Sequence, residues 1–182
     1  MGDHVDRIVE QWARQRPDLD VAANAVLARL LRATRFLEFT MSEVFARFGI
    51  GRAEFDVLAS LRRAGPPFAL SPSRLSEGLL LSTAAMTNRV DRLEQLRFVR
   101  RRPDDRDRRI ILVELSERGR ELIDQVFPAL VDEQERFLGS LSTKDRQTLD
   151  GLLRSLLLEL ESAPAADASR RPSKRLADAA GH

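Results

Sequence analysis

Arginine side chains are concentrated between residues 71 and 115. This stretch holds ten arginines and no lysine against seven aspartates and glutamates, an excess of three positive charges, whereas the whole chain carries a net charge of only +2. A guanidinium group binds phosphate through several N–H donors at once. Because the excess lies on one segment and is not spread over the chain, the composition indicates a surface for nucleic acid.

Most of these arginines fall in a predicted β-hairpin. Residues 98–102 and 110–115 are β-compatible runs, and the turn-forming cluster Pro103–Arg106 separates them. An arginine-bearing tip can enter a narrow minor groove, where the negative potential is enhanced. A paired contact with Asp107 is predicted to hold Arg109 in place. The tip residues that we expect to contact DNA are Arg106, Asp107, Arg108 and Arg109.

A helix predicted to start at Ser82 precedes this hairpin. Its inward positions are Met86, Val90 and Leu93, and a step of about 100° per residue places short and polar side chains on the opposite side. Alanine there permits close approach to a duplex, threonine and asparagine can bond base edges, and arginine can bind phosphate. The helix residues that we expect to contact DNA are Ser82, Thr83, Ala84, Thr87, Asn88 and Arg92.

A shorter helix completes the segment 71–115. Ser71 is a suitable N-cap, Pro72 suits the first helical position, and Leu75 and Leu79 mark one apolar face. A helix-turn-helix followed by a basic hairpin is typical of a winged DNA-binding domain. The alternative interpretation is an ordinary core helix beside a solvated charged loop, which is the usual fate of such charge runs.

The rest of the chain is predicted to be helical and to hold this winged segment in place. We expect a short amphipathic helix in residues 1–17 and a winged helix-turn-helix domain over 18–161, so that the fold is mainly α with one small β-hairpin. A leucine stripe near the end is too apolar to face solvent and needs a partner surface, for which a second copy is the simplest candidate. Dimerisation is therefore predicted through residues 20–48 and 117–161, which suits palindromic DNA. The Ala-, Pro-, Ser- and Arg-rich residues 162–182 are predicted to be disordered.

Composition argues against an enzyme and against a metal or cofactor site. The chain has no cysteine and only two histidines, one at each end, and it has neither a Gly-rich phosphate loop nor carboxylates at metal-binding spacing. No stretch is long and apolar enough to cross a bilayer, and no secretory apolar region opens the sequence. We therefore expect a cytoplasmic protein that has no membrane contact.

Three segments together resemble the MarR family of regulators, over about residues 21–160. They are Ala53–Leu58, Leu81–Arg89, and Asp107–Arg109 leading into Leu112–Ser116 with Gly119 after it. The resemblance implies a dimeric winged helix-turn-helix repressor that a small ligand releases from its operator, and it assigns Asp107 and Arg109 to the tip of the wing. One departure is Arg97, where the family usually has glycine. A non-glycine residue in left-handed backbone costs about 1 kcal/mol.

A narrower likeness is to the urate-responsive branch of this family. That branch has an extra N-terminal helix with a tryptophan, an aspartate before the winged segment, and two arginines; the matching residues are Trp12, Asp56, Arg89 and Arg101. Arg89 lies about 60° from the inward face of its helix, so it is poorly placed for bases and could pair with Asp56 or with an anionic ligand. The implied effector is a small anion, such as urate or a related purine, stacking on Trp12.

Other interpretations of these residues remain open. Trp12 could be a core anchor, Asp56 and Arg89 a structural ion pair, and Arg101 a phosphate contact. The effector could be a phenolic or lipophilic compound, with the same DNA-binding mechanism. A protein of another class, a helical adaptor whose basic hairpin contacts acidic protein, would lack salt-sensitive DNA binding.

Overall fold

The computed structural model describes residues 2–162 and is mainly helical, so the predicted winged-helix fold class is confirmed. The prediction for the tail lies outside the described residues, except that Ser162 ends the last helix. The described residues form two compact units, which divide between Met41 and Ser42. Its elements are α1 (His4–Gln15), α2 (Ala22–Arg47), α3 (Arg52–Arg63), β1 (Ala69–Leu70), α4 (Pro72–Gly78), α5 (Thr83–Gln95), β2 (Val99–Pro103), β3 (Ile111–Leu115), α6 (Glu117–Phe137) and α7 (Thr143–Ser162).

The first unit contains α1 and most of α2. Asp3 caps α1 by accepting the backbone N–H groups of Val5 and Asp6, and the Asp6 side chain accepts the N–H of Asp3 in return. Arg29 of α2 forms ion pairs with both carboxylates, at 2.8 Å to Asp3 and 2.5 Å to Asp6. These polar contacts join α1 to α2. The unit exposes several large apolar side chains, which are Trp12, Leu19, Val26, Leu27, Leu30, Leu31, Phe36 and Phe39.

The core of the second unit is built around α5. Met86, Val90 and Leu93, the predicted inward positions of this helix, are all buried, so its predicted orientation is confirmed. The rings of Phe45 and Phe55 stack with their centroids 4.7 Å apart. The remaining buried apolar side chains of this unit are Val44, Ile50, Val57, Leu58, Leu61, Leu75, Leu81, Phe98, Val99, Val113, Leu115, Ile123, Val126 and Leu130.

The sheet has three strands in the order β1–β3–β2, and both pairings are antiparallel. Strands β2 and β3 form the predicted hairpin, in which Arg100 lies opposite Glu114. We call residues 99–115 the wing. Strand β1 was not predicted, because two residues are too few to show the alternation of apolar and polar side chains that identifies a strand. It pairs Ala69 with Glu114 and covers the second edge of β3.

Arg97 makes the turn from α5 into the wing in left-handed backbone, with φ = 62°. Its N–H group donates to the carbonyl of Glu94, and the N–H of Phe98 donates to the carbonyl of Leu93. These two bonds form the Schellman motif that commonly ends a helix. The motif needs a residue with positive φ at this position, where glycine is usual and Arg97 is strained.

Gly119 allows α6 to begin directly against this turn. A β-carbon at Gly119 would lie 2.0 Å from the carbonyl oxygen of Phe98, so only glycine fits. Ser116 caps α6 by accepting the N–H of Gly119, and its hydroxyl also donates to the carbonyl of Arg97. The end of α5, the start of the wing and the start of α6 are therefore fixed to one another.

The last two helices differ in how many of their residues are buried. Helix α6 continues through Pro128 without interruption and buries Ile123, Val126 and Leu130. Helix α7 has no buried residue. Its exposed apolar side chains are Leu149, Leu152, Leu156, Leu157, Leu158 and Leu160. Among the described residues, no helix combines the length and the apolar character needed to cross a membrane.

Candidate nucleic-acid interface

Helix α5 presents the predicted base-reading side chains on its outer side. Ser82 caps the helix by accepting the N–H of Ala85 at 3.2 Å. Thr83, Ala84, Thr87 and Asn88 are exposed, as predicted from the helical period. The hydroxyl of Thr87 donates to the carbonyl of Thr83 at 2.9 Å, which leaves its oxygen available only as an acceptor. A donor on a base edge, such as an amino group, is therefore its natural partner.

Arg92, predicted to bind phosphate, forms an ion pair with a residue outside the winged segment. Its Nε lies 2.6 Å from Oε1 of Glu54 on α3, and the exposed fractions of the two side chains are 65% and 10%. The same glutamate caps α3, because its Oε2 accepts the N–H of Gly51 at 2.9 Å. The last turn of α5 is thereby tied to the first turn of α3.

The tip of the wing is ordered by two aspartates. Asp107 binds Arg109 through both carboxylate oxygens, at 2.9 Å and 2.8 Å. This pairing holds the pKa of Asp107 below its usual value. Asp104 accepts the N–H groups of Arg106 and Asp107, and these bonds lower its pKa as well. The carboxylates therefore stay charged and keep the turn in one conformation.

Two exposed arginines remain unpaired at this tip. Neither Arg106 nor Arg108 forms an ion pair within residues 2–162. The Arg109 side chain is 90% exposed although Asp107 holds it. The tip therefore presents three guanidinium groups to solvent, one of them fixed in direction.

The strands of the wing are joined by a partly buried acid. Glu114 on β3, whose side chain is 12% exposed, forms ion pairs with Arg100 at 2.8 Å and with Arg102. Burial favours the neutral carboxyl, but the two guanidinium groups keep the pKa of Glu114 below its usual value. Arg100 and Arg102 thus act first as cross-strand supports of the hairpin.

Arg101, predicted as an effector or phosphate contact, is engaged with α5. Its guanidinium binds Asp91 at 2.5 Å and also Glu94, and its backbone N–H donates to Glu94 at 3.1 Å. Its side chain is 30% exposed. Arg101 therefore joins the wing to the helix through two acids of α5.

The remaining predicted effector residues lie on three helices. Asp56 on α3 binds Arg52 at 3.0 Å, one turn earlier, and not Arg89 as the sequence suggested. The preference follows from geometry, because residues four apart on one helix face each other. Arg89 and Arg63 are still close enough to Asp56 to favour its charged form, although burial raises its pKa. Trp12 lies on α1 in the first unit and is 47% exposed, so it is not buried as a core anchor.

Glu54 is the site residue that sequence reasoning missed. Its position three residues after Gly51, at the start of a predicted helix, marks it as half of a capping box. That pattern accounts for one carboxylate oxygen only. The pairing with Arg92 depends on how α3 packs against α5 and leaves no local sequence signal.

Comparison with known proteins agrees with this geometry. The model of the MarR family matches residues 48–110. The transcriptional regulator PecS of Dickeya dadantii is 37% identical over 149 residues, which cover 82% of this chain and 90% of PecS. Two solved structures are similar. A mutant MarR from Escherichia coli complexed with operator DNA has a TM-score of 0.64 and 27% identity, covering 80% of this chain and 97% of that one. BpsR of Bordetella bronchiseptica, whose DNA binding is regulated by 6-hydroxynicotinic acid, has a TM-score of 0.63 and 25% identity, covering 72% and 91%.

Proposed function

The chain belongs to the MarR family of transcriptional regulators, which are not enzymes, and from that membership we propose that it binds operator DNA as a dimer and is released by a small anionic or aromatic effector. The observation that carries the proposal is the joint exposure of two DNA-binding elements. The outer side of α5 presents Thr83, Thr87 and Asn88, and the wing tip presents Arg106, Arg108 and Arg109. A helix of this kind suits the major groove and such a tip suits the adjacent minor groove.

A second copy is the proposed partner of the exposed apolar helices. Helix α7 exposes six leucines and buries none of its residues, and α2 exposes leucine and phenylalanine side chains along its length. Surfaces of this kind on a soluble regulator are typically covered in an assembly. A twofold dimer would place two copies of α5 about one helical turn of DNA apart, which is the spacing of a palindromic operator. Repression follows by occlusion of the operator.

The effector is proposed to bind at the arginines around Asp56. Arg52, Arg63 and Arg89 surround a single carboxylate, so the cluster carries excess positive charge. A small planar anion would satisfy that excess, and urate or a related purine is the first candidate because it is both planar and anionic. BpsR, which responds to a hydroxylated nicotinic acid, supports a planar anion as the class of ligand. A phenolic effector is the second candidate.

A DNA-binding experiment tests the first part of the proposal. Footprinting on the DNA that flanks its own gene should reveal a palindromic site, and affinity should fall steeply as salt rises. Arg109→Ala should weaken binding, because it removes one of the three guanidinium groups that the wing tip presents to solvent. Arg14→Ala on α1 removes the same charge elsewhere and should leave binding nearly unchanged. If Arg109→Ala binds as tightly as the wild type, Arg109 is not part of the contact between the wing and DNA.

An effector titration tests the second part. Trp12 is the only tryptophan, so its fluorescence reports on one site. Urate and xanthine should change the emission and release DNA, and salicylate serves as the phenolic comparison. Arg89→Ala should blunt release more than it weakens DNA binding; the opposite result would make Arg89 a DNA contact. A response to salicylate with none to either purine would replace the purine by a phenolic ligand.

A further inference from the structure

Glu54 occupies an unusual place for a charged residue. It is one of the few buried polar residues among those described, with a side chain 10% exposed, and each of its two oxygens has its own partner. One oxygen accepts the N–H of Gly51 at 2.9 Å, and the other lies 2.6 Å from Nε of Arg92. Buried carboxylates persist where every oxygen is satisfied. Glu54 is thus fixed in position by its own helix.

Arg92 is anchored at one end and open at the other. Its contact with Glu54 is made at Nε, next to the aliphatic stem, and its side chain is still 65% exposed. The two terminal nitrogens therefore remain able to bind a second anion. Because the helical period places Arg92 beside the DNA-facing residues of α5, the available second anion is a DNA phosphate.

We propose that Glu54 is a positioning residue for DNA binding, which holds the Arg92 guanidinium with its terminal nitrogens directed at the DNA backbone. The inference rests on the proposed function. A free arginine loses side-chain entropy when it binds phosphate, whereas an arginine already held by a carboxylate loses less. Arg92 differs in this respect from Arg106 and Arg108, which have no such support.

The sign of the Glu54 effect separates this role from simple electrostatics. Glu54 carries a negative charge near a surface that binds phosphates, so charge repulsion alone predicts that its removal tightens DNA binding. If Glu54 positions Arg92, its removal should weaken DNA binding. Glu54→Gln keeps the shape but carries no charge, so its charge-assisted pair with Arg92 is lost whichever way the amide is turned.

The experiment measures the affinity of the full chain for a duplex that the wild type enriches from a random-sequence pool. Glu54→Gln should weaken binding about three- to tenfold, which corresponds to the ordering of one long side chain. On an Arg92→Ala background the same substitution should have no further effect. A tighter or unchanged affinity for Glu54→Gln overturns the proposal. An equal loss in both backgrounds also overturns it, because it assigns Glu54 only to capping α3.

Arg92→Lys supplies a test that does not disturb the buried residue. Lysine keeps the positive charge but has a single nitrogen, which cannot hold Glu54 and bind phosphate through separate atoms. Its affinity should fall close to that of Arg92→Ala, and wild-type affinity for Arg92→Lys would refute the role. If the wild type selects no duplex, the proposed function fails. If Arg109→Ala weakens binding as expected while the Glu54 and Arg92 effects are independent, only this inference fails.

Discussion

Replacing Arg97 by glycine is expected to stabilise the protein. Arg97 adopts φ = 62° at the turn that ends α5. For an L-residue this left-handed conformation costs about 1–2 kcal/mol, and glycine avoids that cost but loses more backbone entropy on folding, about 0.5–1 kcal/mol. The difference predicts a net gain of about 0.5–1 kcal/mol for Arg97→Gly. The Schellman bonds at Phe98 and Arg97 come from the backbone and survive the change.

Removing the Arg97 side chain is expected to cost little folding stability. It is exposed, and it forms no ion pair within the described part of the chain. Arg97→Ala therefore serves as the matched control, because it removes the side chain and retains the strained β-carbon. Its stability should stay close to that of the wild type.

Thermal unfolding at one fixed protein concentration is the suitable assay, because subunit association makes Tm depend on concentration. A gain of about 0.5–1 kcal/mol in a chain of this size raises Tm by about 1–4 °C. The reasoning is refuted if Arg97→Gly unfolds at the same or a lower temperature than Arg97→Ala. That outcome would mean that a β-carbon at this position causes no net strain in the left-handed turn.

Two further predictions concern other parts of the fold. Ser76→Ala should raise the unfolding temperature, because the hydroxyl of this buried serine has no hydrogen-bond partner in the described structure and its desolvation, about 1–3 kcal/mol, is uncompensated; a lower temperature would contradict this. The contact of α1 with Arg29 should weaken as pH falls. Arg29 and the N–H groups of α1 lower the pKa of Asp3 from 3.8 to about 2, so its stabilising effect is full above 3.8 and is lost towards 2. Amide hydrogen exchange in α1 should show this loss, and Asp3→Asn should reduce the pH dependence.

The helices and the wing could be predicted because they have local signatures. Ser82, Ser71 and Ser116 stand at helix starts with the required spacing to the first turn, and all three accept the expected backbone N–H groups. Met86, Val90 and Leu93 repeat at helical spacing and face inward. Periodicity reports which side of an element is apolar, and that information is enough to orient α5 and to place its exposed residues.

The partners of charged side chains could not be predicted in the same way. The pairing of Asp56 with Arg89 was inferred from their chemistry, but Arg52 lies one turn away on the same helix and takes the contact. The sequence indicates an effector or a phosphate as the partner of Arg101 and gives no sign of the two acids of α5 that it binds. Long flexible side chains reach several partners, and the choice among them depends on tertiary packing that a single sequence does not encode locally.

The winged segment therefore has fewer free positive charges than its ten arginines suggest. Five of them are paired with carboxylates within the described residues, and these are Arg92, Arg100, Arg101, Arg102 and Arg109. Those pairs fix α5, the wing strands and the wing tip to one another, so they define the shape that meets DNA. The arginines that remain able to bind phosphate are the unpaired ones and those paired ones that have spare nitrogens, such as Arg92 and Arg109. The salt dependence of operator binding should follow the number of unpaired arginines per subunit and not the full count, because a guanidinium already neutralised by a carboxylate releases few counterions when DNA binds.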